Sequence, residues 1–261
     1  LTGPDAPTAT TARLASGWRV ARHERIGSTN DEARRLAQAG DPGRLWIVAR
    51  EQTQGRGRRG RVWASPPGNL YASALLIDPS PVAIAAQIGF VAGVALRAAL
   101  AELGADGQIR LKWPNDLVWR GAKVGGLLVE GLALGDGRLA CIVGIGVNCA
   151  DAPQDLPYPA ATLAEAVGGP VTPEALFARL APRLEDALAL WRGGAGFPAI
   201  RAQWLGHAAG LGGPIRIAGA RGFRDGIFRT LDEHGRLVLD GANGPETVEA
   251  GDLFLVDRVG D

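Results

Sequence analysis

Gly55-Arg56-Gly57-Arg58-Arg59-Gly60-Arg61 is the stretch on which the fold turns. It matches the literal dinucleotide pattern G-x-G-x-x-G and follows the apolar, strand-like Leu45-Trp46-Ile47-Val48-Ala49. That fingerprint requires its last glycine to open a helix whose N-terminus meets a pyrophosphate. Here Arg61-Val62-Trp63-Ala64-Ser65-Pro66-Pro67-Gly68-Asn69 follows, a turn by its prolines and Gly-Asn, and Leu70 to Ile77 reads as the next strand. No room is left for the helix of a βαβ unit, so the ribose-like spacing of Asp78 is a coincidence. A P-loop is excluded because no Gly-Lys-Ser/Thr follows. Glycines let the backbone approach a ligand, and arginine forks match phosphate and carboxylate oxygens. The run therefore reads as a mobile loop that closes over an anion. A solvated basic loop and a nucleic-acid patch remain open at this point.

Working outward, Ser28-Thr29-Asn30-Asp31-Glu32 opens a helix that closes at Gly40. Residues 45–52 and 70–77 read as strands, 82–103 as an alanine-rich helix ending at Gly104, and Ile109 to Trp113 as a short strand stopped by Pro114-Asn115-Asp116. Leu117-Val118-Trp119 pairs with Gly125 to Glu130 across Arg120 to Lys123. Leu139 to Val147 is another strand, and helices follow near 173–192 and 197–205. From about Leu211 short strands alternate with Gly, Asp and Asn turns, the pattern of a small all-β barrel. The expected organisation is a flexible start over 1–17, a main domain over 18–210 and a barrel over 211–261.

With 261 residues, 46% hydrophobic and 21% charged, the composition is that of an ordinary globular chain. The net charge of +1 argues against wholesale nucleic-acid binding, so the positive charge is local. Cys141 and Cys149 read as reduced, buried thiols, and the scattered His23, His207 and His234 suggest no zinc site. No apolar run reads as long enough to span a membrane, and the first ten residues lack the apolar core of a signal peptide. A cytoplasmic location is expected.

Polar and cationic clusters fall at the ends of the expected strands: Ser28-Thr29-Asn30, Gln52 with the arginine run, Lys112-Trp113-Pro114-Asn115-Asp116, and Lys123 ahead of Gly125-Gly126. Gly144-Ile145-Gly146-Val147-Asn148 adds small residues where a backbone could pack on a ligand. Each has a plainer reading: a helix cap, a turn, a solvated hairpin lysine, or a core tryptophan at Trp63. Their co-occurrence, in order, carries the case.

These segments, together with Lys123-Val124-Gly125-Gly126-Leu127-Leu128-Val129-Glu130, resemble the signature segments of biotin protein ligases, strongly from Ile26 to Asp151 and weakly to the C-terminus. The resemblance implies an α+β fold: a mixed β-sheet with helices, of the class II synthetase-like, biotin–lipoate ligase kind, plus a small C-terminal SH3-like β-barrel. It implies ATP-dependent activation of biotin as biotinyl-5′-AMP, with Mg²⁺ on the leaving pyrophosphate, and transfer to a lysine of a biotin carboxyl carrier domain, as in acetyl-CoA carboxylase. Ser28, Thr29, Asn30, Gln52, Arg56, Gly57, Arg58 and Lys123 would bind biotin. Arg58, Arg59, Arg61, Trp63, Lys112, Asn115 and Asn148 would hold ATP and the adenylate. Lys123, Arg58 and Asp116 would be the catalytic set, Asp116 orienting or deprotonating the acceptor lysine. No side-chain metal site is implied.

Some family members carry an N-terminal DNA-binding domain. Too little chain precedes Ser28 here, so no DNA partner is expected, and the chain would act as a monomer or homodimer. Asp252 and Arg258 do not align with the ATP-binding residues of the family's barrel, so no role is carried to them. Two rivals are a lipoate ligase or octanoyl transferase, the latter using a Lys–Cys pair for which Cys149 is available, and a non-enzymatic nucleic-acid binder.

Overall fold

Dense apolar runs without helical spacing make Leu45–Gln52, Leu70–Ile77 and Leu139–Val147 strands, and the three lie side by side in the middle of one sheet. The computed structural model describes residues 10–105, 107–154, 156–219 and 222–256. In chain order its first part holds β1 (Thr10–Arg13), β2 (Arg19–Ile26), α1 (Thr29–Gln38), β3 (Leu45–Gln52), β4 (Leu70–Ile77) and α2 (Ile88–Leu100). Then come β5 (Ile109–Lys112), β6 (Asp116–Trp119), β7 (Ala122–Ala133) and β8 (Leu139–Val147). Helices α3 (Leu163–Val167), α4 (Pro173–Trp191) and α5 (Phe197–Gly206) complete that part. Five further strands follow: β9 (Pro214–Gly219), β10 (Gly222–Leu231), β11 (Leu237–Gly241), β12 (Gly244–Val248) and β13 (Asp252–Leu255).

The large sheet runs β1-β2-β3-β4-β8-β7-β6-β5, with β2 and β3 parallel and the other pairs antiparallel. Helix α1 is the crossover between the parallel pair and covers one face, burying Ala33 and Ala37 over Ile47, Leu75 and Ile142. Helices α2, α4 and α5 cover the other face, where Trp46, Val91, Leu96, Leu180 and Trp204 are buried. Removing side chains of this size from water stabilises by about 1.5–3 kcal/mol each.

Parallel pairing fixes the site. Ile26 stands opposite Gln52, so the turn that opens α1 and the end of β3 emerge at the same edge. At that edge Ser28 caps α1, its hydroxyl accepting from the Asp31 N–H at 3.5 Å.

The second sheet, β12-β11-β10-β9-β13, is wholly antiparallel. Its inward residues Ile217, Phe228, Leu239 and Leu253 join the main core. Among the described residues β12 and β13 each pair with one neighbour only. Two ties hold it to the large sheet. The linker after α5 pairs with β5, through Leu111 N–H to His207 O and Ala209 N–H to Leu111 O. The Trp113 indole N–H donates to Gly235 O at 3.2 Å.

Several expectations are corrected. Within 1–17, Thr10–Arg13 is not loose but an edge strand on β2, while residues 1–9 lie outside the described residues. The strand at 109 stops at Lys112, leaving Trp113 buried at a cis peptide to Pro114. The helix over 82–103 is α2, entered by a 3₁₀ segment at Val82–Gln87 and left by a π-turn at Ala101–Ala105. Together Val82–Ala105 is long and apolar enough to cross a membrane, contrary to the sequence reading. Its Ile88, Val91, Ala95, Leu96, Ala99 and Leu100 are instead packed into the core. Asp78 serves the fold rather than a ribose, since its carboxylate accepts from the Leu139 N–H at 2.7 Å.

Candidate functional site

One cleft opens between the start of α1, the arginine loop and the middle of β7. Its two ends are built differently. At the inner end, Ser28, Thr29 and Asn30 are all buried. The Thr29 N–H donates to Gln52 Oε1 at 2.8 Å, and Gln52 Nε2 donates to Ser65 Oγ at 3.1 Å. Ser73 Oγ lies 2.6 Å from Asn30 Oδ1, to which it donates, and 2.7 Å from Thr29 Oγ1. Asn30 Nδ2 donates to Glu130 Oε2 at 2.6 Å. A buried polar group without a partner would cost about 1–3 kcal/mol, and here a chain of partners runs from β3 through α1 to β7. Gly144 belongs to this chain: a Cβ there would collide with Asn30 Oδ1.

The outer end is the arginine loop. It folds back on itself, with Gly57 N–H to Arg61 O at 2.8 Å, Trp63 N–H to Gly55 O at 2.9 Å, and a bridge between Arg56 and Val62. Arg56 grips Asp31 through both its terminal nitrogens, at 2.6 and 2.7 Å, and reaches Glu130 at 3.3 Å. The Asp31 hydrogen bond leads in holding the guanidinium protonated. Arg58 turns into the cleft, donating to Asn115 Oδ1 at 3.1 Å and Gly251 O at 3.3 Å. Burial pushes its pKa down, while Asp252 acts the other way.

Between the ends sit Lys123 and Asp116, on neighbouring strands, with Nζ 2.7 Å from Oδ1. The ammonium also lies over the rings of Trp63, at 5.3 Å, and Tyr158, at 5.7 Å. Trp63 packs on Gly146, where a Cβ would come within 2.8 Å of the indole. The Trp63 Nε1 is buried with no protein partner. Beyond the indole is a second, mostly apolar hollow lined by Asn148, Pro153, Leu156, Tyr158 and Ala160.

The cleft thus gathers Ser28, Thr29, Asn30, Gln52, Arg56, Gly57, Arg58, Arg61, Trp63, Asn115, Asp116 and Lys123. It does not gather Arg59, Lys112 or Asn148. Arg59 points to Asp252 at 3.2 Å. Lys112 lies beside Phe254, 5.8 Å from its ring, with its pKa lowered by burial. Asn148 lines the second hollow, its amide donating to Ala161 O at 3.3 Å. Gly144 and Gly146 line the cleft, and they also make room for Asn30 and Trp63.

Sequence reasoning missed Asp31, Ser73, Glu130, Tyr158 and Asp252. Asp31 and Glu130 carry a signal as members of the Ser28–Glu32 and Lys123–Glu130 segments, and Asp252 is singled out by the resemblance but given no role. Cys149 is fully buried and its thiol is pushed up to about 12, so it supplies no thiolate nucleophile. Arg258 lies outside the described residues. Among the described residues no three His, Cys, Asp or Glu gather to hold a metal.

Comparison with known proteins gives the family. Residues 23–148 match the model of the biotin/lipoate A/B protein ligase family, and residues 211–256 match the biotin protein ligase C-terminal domain. A biotin–[acetyl-CoA-carboxylase] ligase of Paracoccus denitrificans is 42% identical over 241 residues, covering 88% of this chain and 98% of the relative. One of Mycobacterium tuberculosis is 31% identical, covering 91% of this chain and 90% of the relative. Among solved structures, the biotin protein ligase of Aquifex aeolicus in complex with biotin and ATP superposes with a TM-score of 0.77. It is 28% identical, with 91% of this chain and 98% of that one covered. The chain belongs to the biotin protein ligase family.

Proposed function

We propose that this chain condenses biotin with ATP to biotinyl-5′-AMP and passes the biotin to a lysine of a biotin carboxyl carrier domain, in the first instance that of acetyl-CoA carboxylase. The observation that carries this is the single cleft with a neutral, hydrogen-bonded inner end and a cationic mouth, joined by Lys123. A ureido ring needs fixed donors and acceptors. Ser28 Oγ has capacity left for it, because its capping contact is a long 3.5 Å. Thr29, Asn30 and Gln52 are the other walls, already oriented by Ser73, Glu130 and Ser65. The apolar tail would follow Gly126-Leu127-Leu128 towards Lys123.

In the first step a biotin carboxylate oxygen attacks the α-phosphorus of ATP, the bond to the bridging oxygen breaks, and pyrophosphate leaves. Two anions must meet, so fixed cations lower the barrier. Lys123, held by Asp116, and Arg58, held by Asn115, are placed to do so. Trp63 would cover the adenylate, with Arg56 and Gly57 in the loop around the ring and adenylate and Arg61 toward the phosphates, while Arg59, Lys112 and Asn148 stand outside the cleft. Mg²⁺ would arrive on the triphosphate oxygens, since the described residues offer no carboxylate cluster for it.

In the second step the acceptor amine attacks the acyl carbon, the carbon–oxygen bond to AMP breaks, and the amine loses a proton. A free lysine amine has a pKa of about 10.4 and is mostly protonated near neutrality. Asp116, which already sits beside the Lys123 ammonium, would orient or deprotonate the acceptor amine. The octanoyl-transfer alternative lacks its thiolate, because Cys149 is buried. The nucleic-acid alternative is disfavoured by the net charge of +1, which leaves the positive charge local to one loop.

The test is to incubate the chain with Mg-ATP, a carrier domain, and biotin, lipoate or octanoate in turn. A gain of biotin mass on one carrier lysine is expected. Modification only by lipoate or octanoate, or by nothing, would overturn the proposal.

A further inference from the structure

The inner end of the cleft holds a line of hydrogen bonds pinned at both ends by groups with only one role. At one end the Glu130 carboxylate, on β7, takes Asn30 Nδ2 at 2.6 Å and the guanidiniums of Arg34 at 3.1 Å and Arg56 at 3.3 Å. A carboxylate so paired only accepts, so the Asn30 amide must turn its nitrogen towards it. The amide oxygen then faces Ser73 Oγ at 2.6 Å, and the single Ser73 proton is committed there. At the other end the Thr29 backbone N–H only donates, so Gln52 must turn Oε1 towards it, at 2.8 Å.

Thr29 Oγ1 is the junction. Its one proton has two acceptors in reach, Ser73 Oγ at 2.7 Å and Gln52 Oε1 at 3.0 Å. Ser73, already donating to Asn30, offers it a lone pair and is the nearer. The Thr29 proton therefore goes to Ser73, and Gln52 Oε1 keeps a lone pair for the cleft that Thr29 and Gln52 line. Asn30 and Ser73 are buried, so the order is set by the protein groups themselves.

We propose that Glu130 is a specificity-determining positioning residue: acting through Asn30, Ser73 and Thr29, it sets the direction of this line of protons and so keeps Gln52 Oε1 an open acceptor for a ring N–H. This rests on the ligase reading of the cleft, in which a ureido ring brings two such N–H groups. A side chain at 130 that could also donate would let the Asn30 amide turn over. Ser73 would then donate to Thr29, and the Thr29 proton would fall on Gln52 Oε1. That oxygen, already taking the Thr29 N–H, would be filled. The end of the cleft would keep its shape and lose its preference for a donor.

The test is binding to the full chain, read by calorimetry, of biotin and of its two cyclic-carbamate analogues, each with one ring N–H replaced by oxygen. Wild type should bind one analogue about 10–100-fold more weakly than biotin, because an oxygen there faces an oxygen. Glu130→Gln, the same size but able to donate, should narrow that gap about fivefold or more, mainly by weakening biotin. Ser73→Ala leaves Glu130 and its arginines in place but removes the nearer acceptor of the Thr29 proton, and should narrow the gap as much. The double variant should narrow it no further, because both changes act on one line. A gap unchanged in either single variant, additive effects in the double variant, or a wild type that binds all three compounds alike would overturn the proposal. A merely structural role would weaken biotin and analogue equally and leave the gap as it was. Failure of the ligase reading would show separately, as a wild type that binds no biotin.

Discussion

The two ends of the cleft solve opposite problems. The Ser28–Gln52 end is buried, made of neutral hydrogen bonds, and tied by Asn30 to Glu130 across 100 residues of chain. The arginine end is half-exposed and made of ion pairs, three of them to one carboxylate. Buried hydrogen bonds lose their full desolvation cost if broken, so they fix a shape. Half-exposed ion pairs are weak and exchangeable, so they can hand their charge to a ligand. A rigid end suits a small uncharged ring, and an exchangeable end suits a nucleotide that must enter and leave.

The sharpest way to break this contrast lies where the ends meet. Lys123→Ala should slow adenylate formation by about 10²–10³-fold, the usual loss when one positioned electrostatic stabiliser goes. Biotin affinity should fall far less, and pyrophosphate release against biotin titration reads both; a fully active Lys123→Ala protein would remove the site assignment. Next, Gly144→Ala should damage the rigid end, because its Cβ meets Asn30. Overpacking of this kind costs about 1–3 kcal/mol. Its signature is a lower melting temperature together with weaker biotin binding, and an unchanged protein would mean that the inner end gives way easily. Arg58→Ala should leave stability nearly untouched and instead let the adenylate escape. Free biotinyl-5′-AMP and labelled bystander lysines would appear, and tight retention would show that the mouth closes without it.

The smallest effect expected is at His23. Burial holds its pKa below 6.5, so the folded protein keeps the imidazole neutral while the unfolded chain protonates near 6.5. Its contribution to stability is complete above that value and is lost as pH falls through and below it. His23→Gln should flatten that slope. Urea midpoints at about pH 7.5 and about pH 5.5 would show it, and identical slopes would sink the assignment.

What the sequence reveals follows from where the information sits. Strands β3, β4 and β8 are legible to the residue because they are buried on both faces and read as unbroken apolar runs. The α1 cap is legible because capping is local. Strand β2 is not, since Arg19-Val20-Ala21-Arg22-His23-Glu24-Arg25-Ile26 carries charge on both faces near the sheet edge. Without it the parallel pair that brings Ser28 next to Gln52 stays hidden. The role of Asp252 is illegible for a different reason: it depends on arginines 191 to 194 residues away in the chain. The glycines of β8 read as room for a ligand and do line the cleft, but local pattern cannot say that Asn30 and Trp63 also pack on them. The strand order of the second sheet likewise rests on pairing between distant strands, β9 with β13, which turn spacing does not reveal.

The most direct measurement is acid activation without any acceptor. The protein is mixed with Mg-ATP and, separately, biotin, lipoate or octanoate, and acyl-adenylate and pyrophosphate are quantified. Biotinyl-5′-AMP with stoichiometric pyrophosphate from biotin alone is the expected result. An adenylate from lipoate or octanoate instead, or none from any acid, would contradict the proposed assignment of the inner end to a ureido ring and of the mouth to ATP.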